Sequence, residues 1–226
     1  MQVKQFYDQL QFPGPYTLEQ LQAYGDPIEN YYLRCIDREL AAGQLVLDAG
    51  CGTGLTTNLF ALRYPASEFT GMDFASSVEL AERFAQTNSI NNVKYVKQDL
   101  VQAAFDPEYD RVVCQGVLHH IPQYQQVATQ LARAVKPGGR LILGLYHPWG
   151  KLIKQLTRID YGSPLLETDQ ESNPFELAFT PSQAQALVPE LELISRWPCW
   201  LGSAVPALFN SRNGGLTVYI FEKRPK

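Results

Sequence analysis

Three groups of residues have types and spacings that could do chemistry. The first is Leu45-Val46-Leu47-Asp48-Ala49-Gly50-Cys51-Gly52-Thr53-Gly54, where a short apolar run ends in an acid and three glycines alternate before a helix. Glycine lets a backbone turn sharply and approach a ligand more closely than any Cβ would permit. The spacing is G-x-G-x-G, and Leu55 holds the position that would complete the dinucleotide fingerprint G-x-G-x-x-G. This loop is not built to seat a pyrophosphate in the manner of a dehydrogenase. The second group is acidic: Asp73 closes Phe69-Thr70-Gly71-Met72-Asp73, and Asp99 follows Val96-Lys97-Gln98. An ionised carboxylate only accepts hydrogen bonds, so each acid suits a ligand that donates them. The third group is the whole histidine supply, His119, His120 and His147. An imidazole within reach of a hydroxyl can serve as a general base.

The elements that must position these residues alternate from Leu45 onward. Apolar runs and turn signals predict strands at residues 45–47, 68–72, from 94, at 109–114 and at 140–146, with helices over 55–64, 76–86 and 123–135. Lys136-Pro137-Gly138-Gly139 is expected to break the last helix from the strand that follows. Five such alternations imply a parallel sheet with helices on both faces. Ligands of these sheets bind beyond the C-terminal strand ends near the switch in strand order, so the residues just after each strand carry most weight. All three histidines then fall beyond the fourth and fifth strands.

Two segments flank this rhythm. Residues 1–43 read as a helical, tyrosine-rich cap holding Tyr7, Tyr16, Tyr24, Tyr31 and Tyr32, five of the 12 tyrosines. Thr17 and Gln20 form a capping box for a helix that stops at Gly25. Asp26 is the expected N-cap of the next helix, with Pro27 in its first position. The α/β domain covers residues 44–226. Residues 147–180 interrupt it with Pro148, Pro164 and Pro174 and have no clean strand signal, although residues 151–159 could be helical. Loops beyond about 12–15 residues are often functional lids, which is the expectation for this insertion. Thr180-Pro181 restarts a helix, residues 191–197 and 216–221 read as closing strands, and Asn213-Gly214-Gly215 supplies a turn before the last.

The composition excludes several classes. A chain of 226 residues, 45% hydrophobic and 19% charged, can bury a sizeable core. Its net charge of -4 argues against a broad phosphate-neutralising surface, so nucleic acid is not an expected partner. Cys35, Cys51, Cys114 and Cys199 include no C-x-x-C pair, which excludes common zinc ribbons and suits a reducing, cytoplasmic compartment. The N-terminus is too polar for a signal peptide, and no apolar run approaches a membrane span. Nothing fixes an oligomeric state.

In their order and spacing, the motifs over residues 45–146 resemble class I S-adenosylmethionine-dependent methyltransferases, particularly the small-molecule branch that includes quinone-biosynthesis enzymes. The resemblance implies a Rossmann-like, seven-stranded, mostly parallel sheet of order 3-2-1-4-5-7-6, the last strand antiparallel. It also implies S-adenosyl-L-methionine as cofactor. By the same resemblance Gly50, Cys51, Gly52 and Gly54 form the cofactor loop, with Cys51 a small packing residue. Asp73 would accept both ribose hydroxyls, Phe74 would pack on the adenine face, and Asp99, followed by Leu100, would accept from the adenine amino group. The backbone at Gln115 and Gly116 would face the methionine end. Asp48 either holds the turn or reaches the ligand's amino group through water.

Methyl transfer is an in-line displacement, for which a protein need supply only alignment, desolvation and, for a weak acid, a base. Tyr146 and His147, at the mouth of the insertion, are the first candidates for a catalytic role and His119 the next; the alternative is an imidazole that packs or caps the following helix. Cys114-Gln115-Gly116 lacks the Asn/Asp-Pro-Pro-aromatic motif of nucleic-acid amino-methylating enzymes. The one Pro-Cys pair, Pro198-Cys199, lies far from the site, and no carboxylates stand after the fourth strand to hold magnesium, so no metal is expected. The N-terminal tyrosines with Trp149, Tyr161, Phe175 and Phe179 could cover a small apolar or aromatic acceptor, or simply dock the cap on the sheet. Arg34, Arg158 and Arg196 could pair with an acceptor carboxylate. The rival readings are a non-catalytic S-adenosylmethionine-binding module and a nicotinamide-dependent oxidoreductase.

Overall fold

The computed structural model describes residues 7, 11–25, 30–148, 175–197 and 216–225. Its centre is one seven-stranded sheet. The strands are β1 Leu45–Ala49, β2 Glu68–Asp73, β3 Val93–Lys97, β4 Tyr109–Gln115, β5 Val135–Tyr146, β6 Glu192–Trp197 and β7 Leu216–Glu222. They lie in the order β3-β2-β1-β4-β5-β7-β6, as the resemblance implied. The pairs from β3 through β5 are parallel, and β7 is antiparallel to both β5 and β6. β1 is buried at four of its five positions, which is why it reads as a continuous apolar run rather than an alternating one.

The helices are α1 Leu18–Gly25, α2 Tyr31–Asp37, α3 Leu55–Arg63, α4 Ser77–Thr87, α5 Tyr124–Ala134 and α6 Pro181–Leu187. They sort onto the two faces of the sheet. Leu21, Leu33, Ile36, Leu55, Phe60 and Ala85 pack from α1 to α4 on Val46, Val113 and Ile142. Val127, Leu131 and Ala184 pack from α5 and α6 on Leu47, Cys114, Leu143 and Leu145. Alternate residues of β4 and β5 therefore face opposite layers.

The cap begins as expected, with Thr17 and Gln20 exchanging side-chain and backbone bonds of 2.8 and 3.1 Å at the start of α1. The next helix differs. Its N-cap is Asn30, whose side chain accepts from the N–H groups of Tyr32 and Leu33, not Asp26. An Asn oxygen two and three residues ahead of those donors meets the capping geometry directly; residues 26–29 lie outside the described residues. Arg140 then pins this layer to the sheet, bonding Glu39 at 2.6 Å and Glu222 at 2.8 Å.

Lys136-Pro137-Gly138-Gly139 also differs from expectation. It is no loop between helix and strand but a bulge inside β5, where pairing jumps from Tyr109↔Val135 to Arg111↔Arg140. The Gly138 N–H donates to the Lys223 carbonyl at 2.7 Å, and the Lys223 ammonium donates to the Ala132, Arg133 and Val135 carbonyls, closing the end of α5. Of the insertion, residues 149–174 lie outside the described residues, as do Pro198-Cys199 and the turn at Asn213. Among the described residues no helix is long and apolar enough to cross a membrane.

Candidate functional site

The strand order reverses between β1 and β4, and the crevice beyond their C-terminal ends is where such a sheet binds ligand. The glycine loop crosses it. Gly50, Gly52 and Gly54 have φ of 82°, 54° and 76°, a region in which a Cβ is strained. Space closes around them as well: a Cβ on Gly50 would strike the Val117 side chain, and one on Gly52 the Phe12 carbonyl. The loop is latched to β2 by the N–H groups of Gly50 and Cys51, which donate to the Met72 carbonyl at 2.7 and 3.1 Å.

Asp73 completes the latch. Its two carboxylate oxygens accept from the Gly52 N–H and the Ala75 N–H, each at 2.9 Å, so one acid braces the glycine loop and its own turn. Phe74 follows it, half-buried. At the next strand end Asp99 accepts from the Val101 N–H at 3.0 Å, Leu100 is buried behind it, and the Gln98 N–H donates to the Asp73 carbonyl at 2.8 Å. Two acids thus stand at adjacent strand ends beside a loop whose three glycines carry no side chain. That pair of acceptors fits a ligand carrying hydroxyl and amino donors at one end.

Asp48 lies under the loop rather than in it. The Thr57 hydroxyl donates to it at 2.6 Å. Burial pushes its carboxyl up to about 6, with the nearby Asp73 charge adding and the Thr57 bond opposing. Cys51 is buried, and burial followed by the charges of Asp48 and Asp73 drives its thiol well above the usual range. Such a thiol packs rather than reacts.

The sequence did not point to one part of this site. Residues 11–16 strap across the loop: the Thr53 N–H donates to the Phe12 carbonyl and its hydroxyl to the Gly14 carbonyl, both at 3.1 Å. The Tyr16 hydroxyl donates to the Thr53 carbonyl at 3.0 Å and accepts from the Asn58 amide at 3.0 Å, and its ring lies 4.5 Å from that of Phe84. The available signal was Phe12-Pro13-Gly14-Pro15-Tyr16, an extended turn in an otherwise helical stretch.

Beyond β4 the other expected residues gather. Gly116, at φ 72°, donates to the Gly144 carbonyl at 3.1 Å, and a short 3₁₀ turn, Leu118–His120, follows. His119 is fully buried, its ring 4.0 Å from that of Tyr146 and 4.3 Å from that of His120. His120 also sits 5.6 Å from Tyr146 and 6.1 Å from Tyr7, and its Nδ1 lies 3.1 Å from the Phe175 carbonyl. The structure therefore unites His119 and Tyr146 and adds His120. His147 is buried one residue past β5, where burial first and Arg196 second lower its pKa. Of the aromatics, Tyr32 packs against the cap-side core and Phe179 sits edge-on to Tyr124 at 5.5 Å, which is the docking role. Trp149, Tyr161 and Arg158 lie outside the described residues.

Comparison with known proteins agrees with this geometry. Residues 46–139 match a family described as a methyltransferase domain. An uncharacterized protein of Synechococcus sp. is 32% identical over 124 residues, 53% of this chain and 30% of that one. The ubiquinone biosynthesis O-methyltransferase of Coxiella burnetii is 32% identical over 112 residues, 48% of this chain and 47% of its own length. The chain spans less than half the length of these curated relatives. In fold it is similar to the N-methyltransferase NodS of Bradyrhizobium japonicum in complex with S-adenosyl-L-homocysteine, with a TM-score of 0.65 and 16% identity over 99% of each chain. Over residues 46–139 the chain thus resembles a methyltransferase domain, and its fold is the one that the S-adenosyl-L-homocysteine-bound NodS has.

Proposed function

We propose that this chain transfers a methyl group from S-adenosyl-L-methionine to a small, apolar or aromatic acceptor. The observation that carries the reading is the bracing of the glycine loop by Asp73, with Asp99 at the adjoining strand end. When bound, the sulfonium supplies an electrophilic methyl group. The chain's own residues do the rest. Gly50, Cys51, Gly52 and Gly54 give the backbone surface, Asp73 receives the ribose hydroxyls and Phe74 covers the adenine face. Asp99 and Leu100 hold the adenine edge, and the backbone of Gln115 and Gly116 lies towards the methionine end. Asp48 holds the turn from below through Thr57.

On the acceptor side, the buried His119 against the Tyr146 ring is the best-placed pair to take a proton from a hydroxyl. His147, kept neutral at ordinary pH by burial, is the second candidate base. The strap over Thr53 serves as a cap that excludes water from the transfer; residues 149–174 of the expected lid lie outside the described residues. Cys35, Cys51 and Cys114 are free thiols, which supports a cytoplasmic setting. The test is turnover: purified protein, S-adenosyl-L-methionine and a panel of phenols, catechols and amines, followed by release of S-adenosyl-L-homocysteine. Acceptor-dependent release carries the proposal. Tight binding with no turnover across the panel makes the chain a non-catalytic binding module instead.

A further inference from the structure

One buried polar group has no role in the arrangement so far. Both amide atoms of Gln115, Oε1 and Nε2, are shielded from solvent and lack a hydrogen-bond partner among the described residues. Leaving a buried amide unmade at both ends is costly, and native structures rarely tolerate it outside functional sites.

Its position is set by the sheet. Gln115 pairs with Gly144 on β5. Val113 and Ile142, two residues back on each strand, belong to the cap-side layer. By the period of two, Gln115, Gly144 and Tyr146 share that face, and Tyr146 carries the His119 ring one pleat further on. A Cβ at Gly144 would overlap Gln115 Oε1 and stand 2.9 Å from its Cδ. The amide therefore leans over β5, away from the glycine loop and Asp73 on the β1–β2 side. Gly144 has no positive φ to explain it; what it provides is space for that amide.

We propose that the Gln115 side chain is the polar anchor of the methyl acceptor, with Gly144 as the position that admits it. This rests on the methyltransferase reading. An amide donates at one end and accepts at the other, so both ends are engaged by a neutral group that both gives and takes a hydrogen bond: a hydroxyl or a carboxamide. A carboxylate would satisfy Nε2 and set its charge against Oε1. The acceptor class is thus a neutral hydroxy- or carboxamide-bearing ring, held beside Tyr146 and His119.

The experiment compares wild type with Gln115→Met, which keeps side-chain length and removes both polar atoms, and with Gly144→Ala, which displaces the amide while retaining it. Each protein is titrated with S-adenosyl-L-homocysteine by calorimetry. The saturated complex is then titrated with phenol, benzamide, toluene and benzoate, followed by ligand-observed NMR. Wild type should favour phenol or benzamide over toluene and benzoate by about tenfold or more. Both variants should lose that preference when each is saturated with S-adenosyl-L-homocysteine. Ligand-free Gln115→Met should melt about 2–6 °C higher than wild type, because the unmade bonds are gone. No preference in wild type, or a preference that survives in Gln115→Met, overturns the proposal. So does a tenfold loss of S-adenosyl-L-homocysteine affinity in Gln115→Met, which would assign the amide to the cofactor. If S-adenosyl-L-homocysteine fails to bind wild type, the methyltransferase reading itself has failed and this proposal goes with it.

Discussion

Gly54→Ala separates two costs that the glycine loop combines. At Gly54 φ is 76°, and an added Cβ would lie 2.6 Å from both Ala81 Cβ and the Tyr95 hydroxyl and 3.1 Å from the Asn58 amide nitrogen. The left-handed backbone costs roughly 1–2 kcal/mol for a residue with a Cβ. Forcing extra volume into a closed space adds typically about 1–3 kcal/mol. Gly138 has nearly the same φ, 77°, but an added Cβ there meets nothing within 4 Å. Gly138→Ala should therefore cost only the backbone part. At ~2–4 °C per kcal/mol for a chain of this size, Gly54→Ala should melt roughly 4–20 °C below wild type and Gly138→Ala roughly 2–8 °C below. Differential scanning calorimetry reads both, and titration with S-adenosyl-L-homocysteine reads the site. Affinity should fall in Gly54→Ala and hold in Gly138→Ala, whose bulge lies at the opposite strand ends. Equal melting losses in the two variants would refute the packing argument, and unchanged affinity in Gly54→Ala would remove the loop from the site.

Two further predictions follow from buried polar groups. In the folded chain the Asp48 carboxyl is raised from 3.8 to about 6, so stability from its retained proton is full below pH 3.8 and is lost as pH rises through 6. That difference amounts to about 3 kcal/mol, so Asp48→Asn should gain up to that much over wild type above pH 6 and nothing below pH 4 in denaturant titrations; a gap that ignores pH contradicts it. Thr53→Val removes the hydroxyl bond to the Gly14 carbonyl at constant shape and should cost about 1 kcal/mol. Hydrogen exchange over residues 11–16 should speed up, and unchanged exchange would show that the strap is held elsewhere.

Local chemistry made much of the fold legible. The glycine spacing, the acids after β2 and β3 and the apolar β1 run are each contained in a few consecutive residues, and all appear where expected. The capping box at Thr17 is local in the same sense. What stayed hidden depends on partners far along the chain. Asn30 caps α2 where Asp26 was the expected cap, and both residue types suit that position. The Lys-Pro-Gly-Gly run reads as a break, yet Lys223, nearly ninety residues on, draws it into β5 as a bulge. The strap joins Gly14 to Thr53 across 39 residues, and no period or motif encodes that meeting. Gln115 was visible as a strand-end residue, but only the register with Gly144 shows which way its amide leans.

Asp73 carries the central claim, that the crevice beyond β1 and β2 receives S-adenosyl-L-methionine. Asp73→Asn preserves shape but replaces one accepting oxygen with a donor, leaving a loop N–H or a ribose hydroxyl unmatched. Charge-assisted hydrogen bonds of about 1.5–3 kcal/mol correspond to a loss of roughly 10- to 150-fold. Calorimetric titration of S-adenosyl-L-homocysteine and of NAD into wild type and Asp73→Asn is the direct measurement. The account predicts that wild type binds S-adenosyl-L-homocysteine in preference to NAD, with affinity falling by that factor in Asp73→Asn. Undiminished affinity in the variant, or tighter binding of NAD, would contradict it.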